Sequence, residues 1–388
     1  MNPVRNSMTG APKEICNNMA QKRQISNGVN QNSFRKLISG SSTGPAAALL
    51  RLLLRVPALI YSISVALRNS LYSKGLLKTH SVDVPVISIG NITVGGTGKT
   101  PLVIWLCSFL KEKDMACAIL TRGYKTKKGK FADEPAILAK SCPDAKVIVN
   151  PNRLAAAHKV TSYFDVKVLV MDDGFQHRRL YRDLDIVTID AMCPFGSDRM
   201  LPAGLLRENV SSLKRAHAAV ITRSDQTTQT GLAQIEDKLK QINPDLIIAR
   251  SIHTPLCVKA LGNNEIGLEE LKDKRIFAFC GIGNPDSFLD TLKRLGTNPL
   301  GSIIYNDHHR YSENDITDIY EQAVYLNADL ILSTQKDWTK IIGDPKLNIA
   351  GYQGIPFAYL PIKLKFLDGQ DKLKQLIEDA LPGKITEK

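Results

Sequence analysis

Residues Gly90-Asn-Ile-Thr-Val-Gly-Gly-Thr-Gly-Lys-Thr-Pro101 constrain this chain more than any other stretch. They follow an apolar run, Val84-Pro-Val-Ile-Ser-Ile89, and lead into a helical pattern, Leu102-Val-Ile-Trp-Leu-Cys-Ser-Phe-Leu110. Strand, glycine loop, Lys-Thr and helix, in that order, form the context of a phosphate-binding loop. Glycines let backbone N–H groups turn inward around phosphate oxygens, and the new helix points its positive end at the same anion. The nucleotide-contacting residues on this reading are Thr93, Val94, Gly95, Gly96, Thr97, Gly98, Lys99 and Thr100. Lys99 reaches the terminal phosphates and Thr100 holds a magnesium ion. The consensus has Gly six residues before the lysine, where this chain has Thr93. A structural glycine turn that carries a lysine by chance is the alternative.

Phosphoryl transfer relies on positioning and charge neutralisation, so such a loop needs acidic metal ligands at a strand end. The apolar strand Val166–Met171 ends in Asp172-Asp-Gly-Phe-Gln-His177. Asp172 and Asp173 are thus expected at a strand's carboxyl edge. Adjacent carboxylates repel, which a divalent cation between them and the phosphates relieves. An acidic turn that merely caps the strand is the bland reading.

Around these motifs the pattern alternates strands and helices. Further strands are expected at Ala116–Thr121, Lys146–Val149, Ile186–Ile189 and Ala218–Thr222. Near-continuous apolar strands separated by helices predict a parallel sheet covered on both faces. A second, smaller α/β unit begins with the strand Arg275–Cys280, the turn Gly281-Ile-Gly283 and a helix at Asp286–Leu295. Its later strands are Ser302–Tyr305, Asp329–Ser333 and Phe357–Leu360. Gly281-x-Gly283 lacks the third glycine of a dinucleotide fingerprint and reads as a tight turn. The resulting domains are a tail at 1–45, a helical membrane-associating segment at 46–80, a P-loop domain at 81–225, a joint at 226–273 and a second α/β domain at 274–388.

Charge is uneven. Residues 1–80 hold eleven Lys/Arg against one acid, Glu14, within a chain of net charge +13. A basic N-terminal segment fits an anionic surface. The body lacks the basic, aromatic-interleaved pattern of a nucleic-acid platform, so lipid is the better partner and nucleic acid is not expected. Residues 46–67 are mostly apolar but interrupted by Arg51, Arg55 and Pro57. Two arginines four apart share one helical face, which suits a helix lying in the membrane interface; a core-packing helix and a true span are the alternatives. Residues 1–45 read as a flexible tail, with an organellar transit peptide as a weaker possibility. Seven scattered cysteines without a Cys-x-x-Cys pair indicate a reducing cytoplasm, with no disulfide framework or zinc site.

Together the glycine loop and four further stretches resemble the tetraacyldisaccharide 4'-kinase family of lipid A synthesis. Those stretches are Thr121-Arg-Gly-Tyr124, Asp133-Glu-Pro135, Asp172-Asp-Gly-Phe-Gln-His-Arg-Arg179 and Asp198-Arg-Met-Leu-Pro-Ala-Gly-Leu-Leu-Arg-Glu208. In that family Thr replaces the first consensus glycine, as Thr93 does here. The resemblance implies a P-loop domain plus a second α/β domain. It implies transfer of the ATP γ-phosphate to the 4'-hydroxyl of an acylated glucosamine disaccharide 1-phosphate, with magnesium. It further implies that Asp133 and His308 form a base pair, Asp172, Asp173 and Glu208 surround magnesium, and Gln176 and His177 line the phosphate site. His309 is a one-residue rival to His308, Asp133 could be a helix N-cap, and His177 could be a hydrogen-bonded structural residue. Arg122 and Arg153 are candidates for phosphate or headgroup contacts, since guanidinium forks bind phosphate bidentately. Lys125–Lys130 is expected as a loop near the headgroups. The enzyme is expected on the cytoplasmic face of the inner membrane, bound peripherally and without an obligate protein partner.

Two other classes compete. Thr222-Arg-Ser-Asp225 and Thr334-Gln-Lys-Asp337 faintly echo the guanine-reading loop of a GTPase, though neither has Lys second. A non-catalytic, membrane-bound nucleotide sensor would use the same loop without an acceptor.

Overall fold

The computed structural model describes residues 40–123, 133–307, 309–352 and 354–381, with Arg23, Gln24, Phe34, Leu37 and Ile38 from the N-terminal segment. It divides into two units, one formed by residues 31–256 and 362–388, the other by residues 1–30 and 257–361.

The first unit opens with helices α1 (Pro45–Leu53) and α2 (Arg55–Ser73). Pro45–Ser73 is long and apolar enough to cross a bilayer by length and composition. Only Ala58 and Val65 of it are buried, which sets aside a core-packing helix. Leu52, Leu53, Val56, Leu59, Ile60, Ile63 and Leu67 form an exposed apolar ridge. The opposite stripe, through Tyr61, Val65, Arg68, Asn69 and Tyr72, meets the body of the unit. Arg51, expected at headgroups, donates instead to Leu37 O at 3.4 Å and Ser42 O at 2.7 Å.

The sheet of this unit has eight strands. They are β1 (Val86–Gly90), β2 (Cys117–Thr121), β3 (Lys146–Val149), β4 (Val168–Asp172), β5 (Leu184–Asp190), β6 (Ala218–Thr222), β7 (Ile247–Pro255) and β14 (Ile362–Asp368). Their order is β14-β7-β6-β5-β1-β4-β2-β3, and every pairing is parallel except β14 on β7. β1, β2, β4 and β6 are buried at every residue, which is why they read as unbroken apolar runs. Helix α3 (Lys99–Glu112) follows the glycine loop and buries Leu102, Val103, Leu106, Phe109 and Leu110 on one stripe. Pro101 sits in its first turn, where N–H groups lack intrahelical partners anyway. Two further helices, α4 (Asp133–Ser141) and α5 (Arg153–Tyr163), connect β2 to β3 and β3 to β4. β1 lies between β4 and β5, so its carboxyl end is the point where the chain changes direction across the sheet.

Domain boundaries differ from the sequence expectation at two places. Residues 226–242 and 247–255 are not a joint: α6 (Gln229–Ile242) and β7 complete the first unit. The second unit ends at Pro361 rather than running to 388. Beyond it, β14 pairs antiparallel with β7, and α10 (Gln370–Asp379) buries Leu373 and Ile377 in the same cluster as α3. Leu364 is buried between exposed Lys363 and Lys365, the alternation of a one-sided antiparallel strand.

The second unit contains β8 (Val258–Ala260), β9 (Glu265–Ile266), β10 (Ile276–Cys280), β11 (Gly301–Ile304), β12 (Leu330–Thr334) and β13 (Phe357–Leu360), with helices α7 (Pro285–Arg294), α8 (Glu313–Tyr325) and α9 (Gln335–Ile342). β11, β10, β12 and β13 are parallel neighbours, and β8 and β9 continue the sheet antiparallel. Arg23–Gln24 pair in parallel with Ile303–Ile304 at the β11 edge.

Candidate active site

Glycine 98 shows why the loop has its shape. It takes φ +85° as the N-cap of α3, and a Cβ there would stand 3.0 Å from both His253 Nε2 and Thr222 Cγ2. Only glycine meets both conditions. Gly90 is equally constrained, since a Cβ would lie 2.5 Å from Phe175 Cβ. Around these two points the loop is pinned. Thr222 Oγ1 donates to Thr97 O at 2.9 Å, and the Thr97 and Thr188 hydroxyls meet at 2.7 Å. Arg223 Nη2 donates to Gly96 O at 2.9 Å while its guanidinium is paired with Asp190. Gly95 and Gly96 remain exposed, so the middle of a rigid loop faces outward with its backbone available.

Thr93 and Val94 join the loop to its flank. Thr93 is 5% exposed and forms an antiparallel bridge with Leu206, and Val94 N–H donates to Leu205 O at 2.8 Å. Through these backbone pairings the loop is fastened to Leu205 and Leu206.

The two adjacent aspartates have opposite environments. Asp172 ends β4, is buried, and accepts from Thr121 Oγ1 at 3.0 Å. Burial first, and then the Glu134 charge, push its carboxyl up to about 6 against the pull of Lys99. Asp173 has φ +54° and sits 3.5 Å from Lys99 Nζ. Arg207 grips both its oxygens at 2.8 and 3.0 Å. Burial raises its pKa, but Lys99 and then Arg207 outweigh that and hold it at about 2.

Other expected site residues fall in three groups. Gln176 lies at the loop, Nε2 donating to Asn91 O at 2.8 Å, while Gln176 Oε1 and His177 Nε2 are buried without a protein hydrogen-bond partner. Burial, and then Arg153 and its neighbouring arginines, lower the His177 pKa to about 4, so it is neutral near pH 7. Arg122 follows β2 and is exposed. Two residues are placed otherwise. Arg153 is 4% exposed and braces the back of the site, donating to Asn150 O at 3.2 Å and Asp172 O at 3.3 Å, so it is no surface headgroup contact. Glu208 is fully buried, and both its oxygens accept from protein donors, Arg68, Asn69 and Arg215. Asp133 begins α4, next to Glu134. Its side chain, His308 and Lys125–Lys130 lie outside the described residues. His309 is committed elsewhere, 3.2 Å from Asp315 and stacked on Tyr305 at 4.3 Å.

Arg207, Asn91, Thr188 and Arg223 were missed by sequence reasoning. Arg207 lies inside the quoted Leu205-Leu-Arg-Glu208 stretch, and a cation beside an acidic pair was the available signal. The GTPase echoes dissolve: Thr222 and Arg223 hold the loop from behind, and Asp337 is a buried acceptor within the second unit.

The residues present suit magnesium. Asp172 and Thr100 offer hard oxygen donors, and a divalent cation would offset both the burial of the Asp172 carboxylate and the neighbouring charges of Glu134 and Asp173.

A family model described as tetraacyldisaccharide-1-P 4'-kinase matches residues 50–382. Proteins named tetraacyldisaccharide 4'-kinase from Halothermothrix orenii and Syntrophus aciditrophicus are 33% and 36% identical to it, over 79% and 81% of this chain and 88% and 89% of their own lengths. A crystal structure described as LpxK from Aquifex aeolicus in complex with ATP is 30% identical, with a TM-score of 0.66, covering 86% of this chain and 99% of the other.

Proposed function

This chain belongs to the tetraacyldisaccharide-1-P 4'-kinase family, and from that premise we propose how its residues divide the work. The enzyme transfers the γ-phosphate of ATP to the 4'-hydroxyl of a tetraacyldisaccharide 1-phosphate in lipid A biosynthesis. The observation that carries the reading is the pinned loop with Gly95 and Gly96 exposed and Lys99 held 3.5 Å from Asp173.

Gly95 and Gly96 present backbone N–H groups to the phosphates, and the N-terminus of α3 adds its partial positive charge. Lys99 follows the negative charge that builds on the transferring group. Asp173, kept ionised by Lys99 and Arg207, fixes the lysine's reach. Asp172 and Thr100 would hold magnesium, which supplies charge neutralisation between the phosphates when bound. In the transfer, the bond from the γ-phosphorus to its bridging oxygen breaks and a bond to the sugar 4'-oxygen forms. Asp133 takes the hydroxyl proton, with His308 as its partner on the strength of the family resemblance. Arg122 meets an anionic group of the acceptor.

The exposed ridge of α1 and α2 lies among lipid headgroups on the cytoplasmic face, where ATP is supplied, and holds the enzyme peripherally. The test is phosphate transfer from ATP to tetraacyldisaccharide 1-phosphate with magnesium in detergent. Absence of a 4'-phosphorylated product from folded enzyme, or a clear preference for GTP, would sink the proposal.

A further inference from the structure

A fully buried carboxylate must be paired, because its desolvation costs several kcal/mol, and the partners of Glu208 come from two sides. From α2, Arg68 Nη2 donates to Oε1 at 3.2 Å and Asn69 Nδ2 donates to Oε2 at 2.9 Å. From the body, Arg215 Nη2 donates to Oε2 at 3.0 Å, with its guanidinium 4.4 Å from the Phe175 ring centroid. The backbone of the same segment grips the nucleotide loop. Arg207 and Glu208 N–H both donate to Ile92 O, at 2.7 and 3.4 Å, while Leu205 O accepts from Val94 N–H. Tyr61 of α2 donates to Arg207 O at 3.0 Å, and Arg178 Nη1 donates to Asn69 O at 2.8 Å. Val65 of α2 shares a core cluster with Ile92, Phe175 and Leu206.

Helix α2 therefore has two faces with different partners: an apolar ridge open to the surroundings and a polar stripe tied to the segment that flanks the loop. We infer that α2 is a structural part of the ATP site, with Arg68 and Asn69 acting as positioning residues that hold residues 205–208, and through them the nucleotide loop, by way of Glu208. Arg207 carries the effect furthest, since its side chain reaches Asp173 and Asn91 while its backbone is fastened to α2 and to Ile92. Loss of the α2 contacts frees the segment that keeps Asp173 and the loop in register. This inference rests on the reading of the loop as the ATP site.

Its test uses full-length enzyme in detergent, titrated with a fluorescent ATP analogue and magnesium, alongside steady-state kinetics. Arg68→Ala/Asn69→Ala should weaken analogue binding and raise the KM for ATP roughly tenfold, with the KM for the disaccharide changed by less than about twofold. Arg68→Lys in place of Arg68→Ala should restore most of the loss. A ridge variant, Leu59→Ser/Ile63→Ser, should lose sedimentation with anionic phospholipid vesicles yet keep its KM for ATP. Asn69→Ala alone, which keeps both arginine pairs to Glu208, carries the same test at smaller size should the double variant not fold. An unchanged KM for ATP in folded Arg68→Ala/Asn69→Ala overturns the inference, as does a change confined to vesicle binding. A Glu208→Gln enzyme that needs more magnesium, where Asn69→Ala needs no more, overturns it in favour of metal ligation. Failure of the underlying reading has a separate signature: Lys99→Ala would leave analogue binding intact.

Discussion

Both sheets end an interior parallel strand in a glycine turn with a lysine and an aspartate close by, and they use those parts in opposite ways. After β1, Gly95 and Gly96 are exposed, Lys99 keeps 18% of its side-chain surface, and Asp173 stands 3.5 Å from it. After β10, Gly281 N–H donates to Asp337 Oδ2 at 3.0 Å, and Lys340 Nζ lies 2.9 Å from Oδ1 while donating to Gly281 O. Asp337 is fully buried and also accepts from Thr334 Oγ1. The second turn has an anion of its own, supplied by the chain. The first leaves its donors for a visitor. In the second turn the Gly281 N–H is already held by an internal carboxylate, whereas the exposed glycines of the first face outward.

Removing the lysine of the open turn and the aspartate of the closed one should therefore damage different quantities. Lys99→Ala should lower kcat about 10²–10³-fold while its thermal midpoint stays close to wild type. Asp337→Ala takes the buried carboxylate away from Lys340, Gly281 N–H and Thr334 Oγ1 and should cost about 3–5 kcal/mol of stability, with ATP affinity of the remaining folded protein unchanged. Denaturant unfolding and nucleotide titration on both variants check this, and an exchange of the two phenotypes would break the comparison.

The two adjacent histidines that follow the second sheet's Gly301–Ile304 strand sharpen it further. His309 is held by Asp315 and Tyr305, so a structural part is expected of it, whereas His308 is the residue assigned to the proton transfer. His308→Ala should lose about 10²-fold in kcat and His309→Ala several-fold less, measured in the same transfer assay. The reverse ranking would shift the proposed pair by one residue.

The smallest expected effect comes from the wall behind Gly98. Burial first, and then Arg223, lower the His253 pKa to about 4. The unfolded chain binds a proton there near pH 6.5 and the folded one does not, so His253 lowers stability as pH falls from about 6.5 toward 4 and has no effect above it. Between pH 7 and 5.5 the loss is on the order of 1 kcal/mol. His253→Gln should flatten the pH dependence of the unfolding midpoint in that window; an unaltered slope would assign the acid sensitivity elsewhere, His177 first.

What could be read from the sequence was what local pattern encodes. β1, the loop, α3 and Asp172 lie within short contiguous stretches whose periodicity and composition announce them. The rest of the site depends on contacts between distant residues. Arg207 meets Asp173 across 34 positions, Thr188 meets Thr97 across 91, and Asn69 meets Glu208 across 139. No spacing rule reveals such pairs, so nothing local showed that Glu208 would be held by Arg68, Asn69 and Arg215, or that Arg153, a candidate for phosphate or headgroup contacts, would donate to Asp172 O. The same limit put residues 362–388 in the second domain: β14 was not foreseen as a strand, and its place is set by pairing with β7, more than a hundred positions earlier.

The pairing of β14 with β7 has a consequence for how the chain is made. Pro255 and Ile362 are register partners, so residues 257–361 are spliced into what is otherwise a hairpin. During synthesis the first sheet therefore waits, one edge uncapped, while the whole inserted unit emerges and folds; only then can Leu364 and α10 close the wall beside α3. Conversely, the insert leaves and re-enters its host at adjacent positions. Excising it and joining the two strands by a short turn would give a smaller protein whose nucleotide loop keeps every contact described for it here, which separates the binding of ATP from whatever the inserted unit contributes.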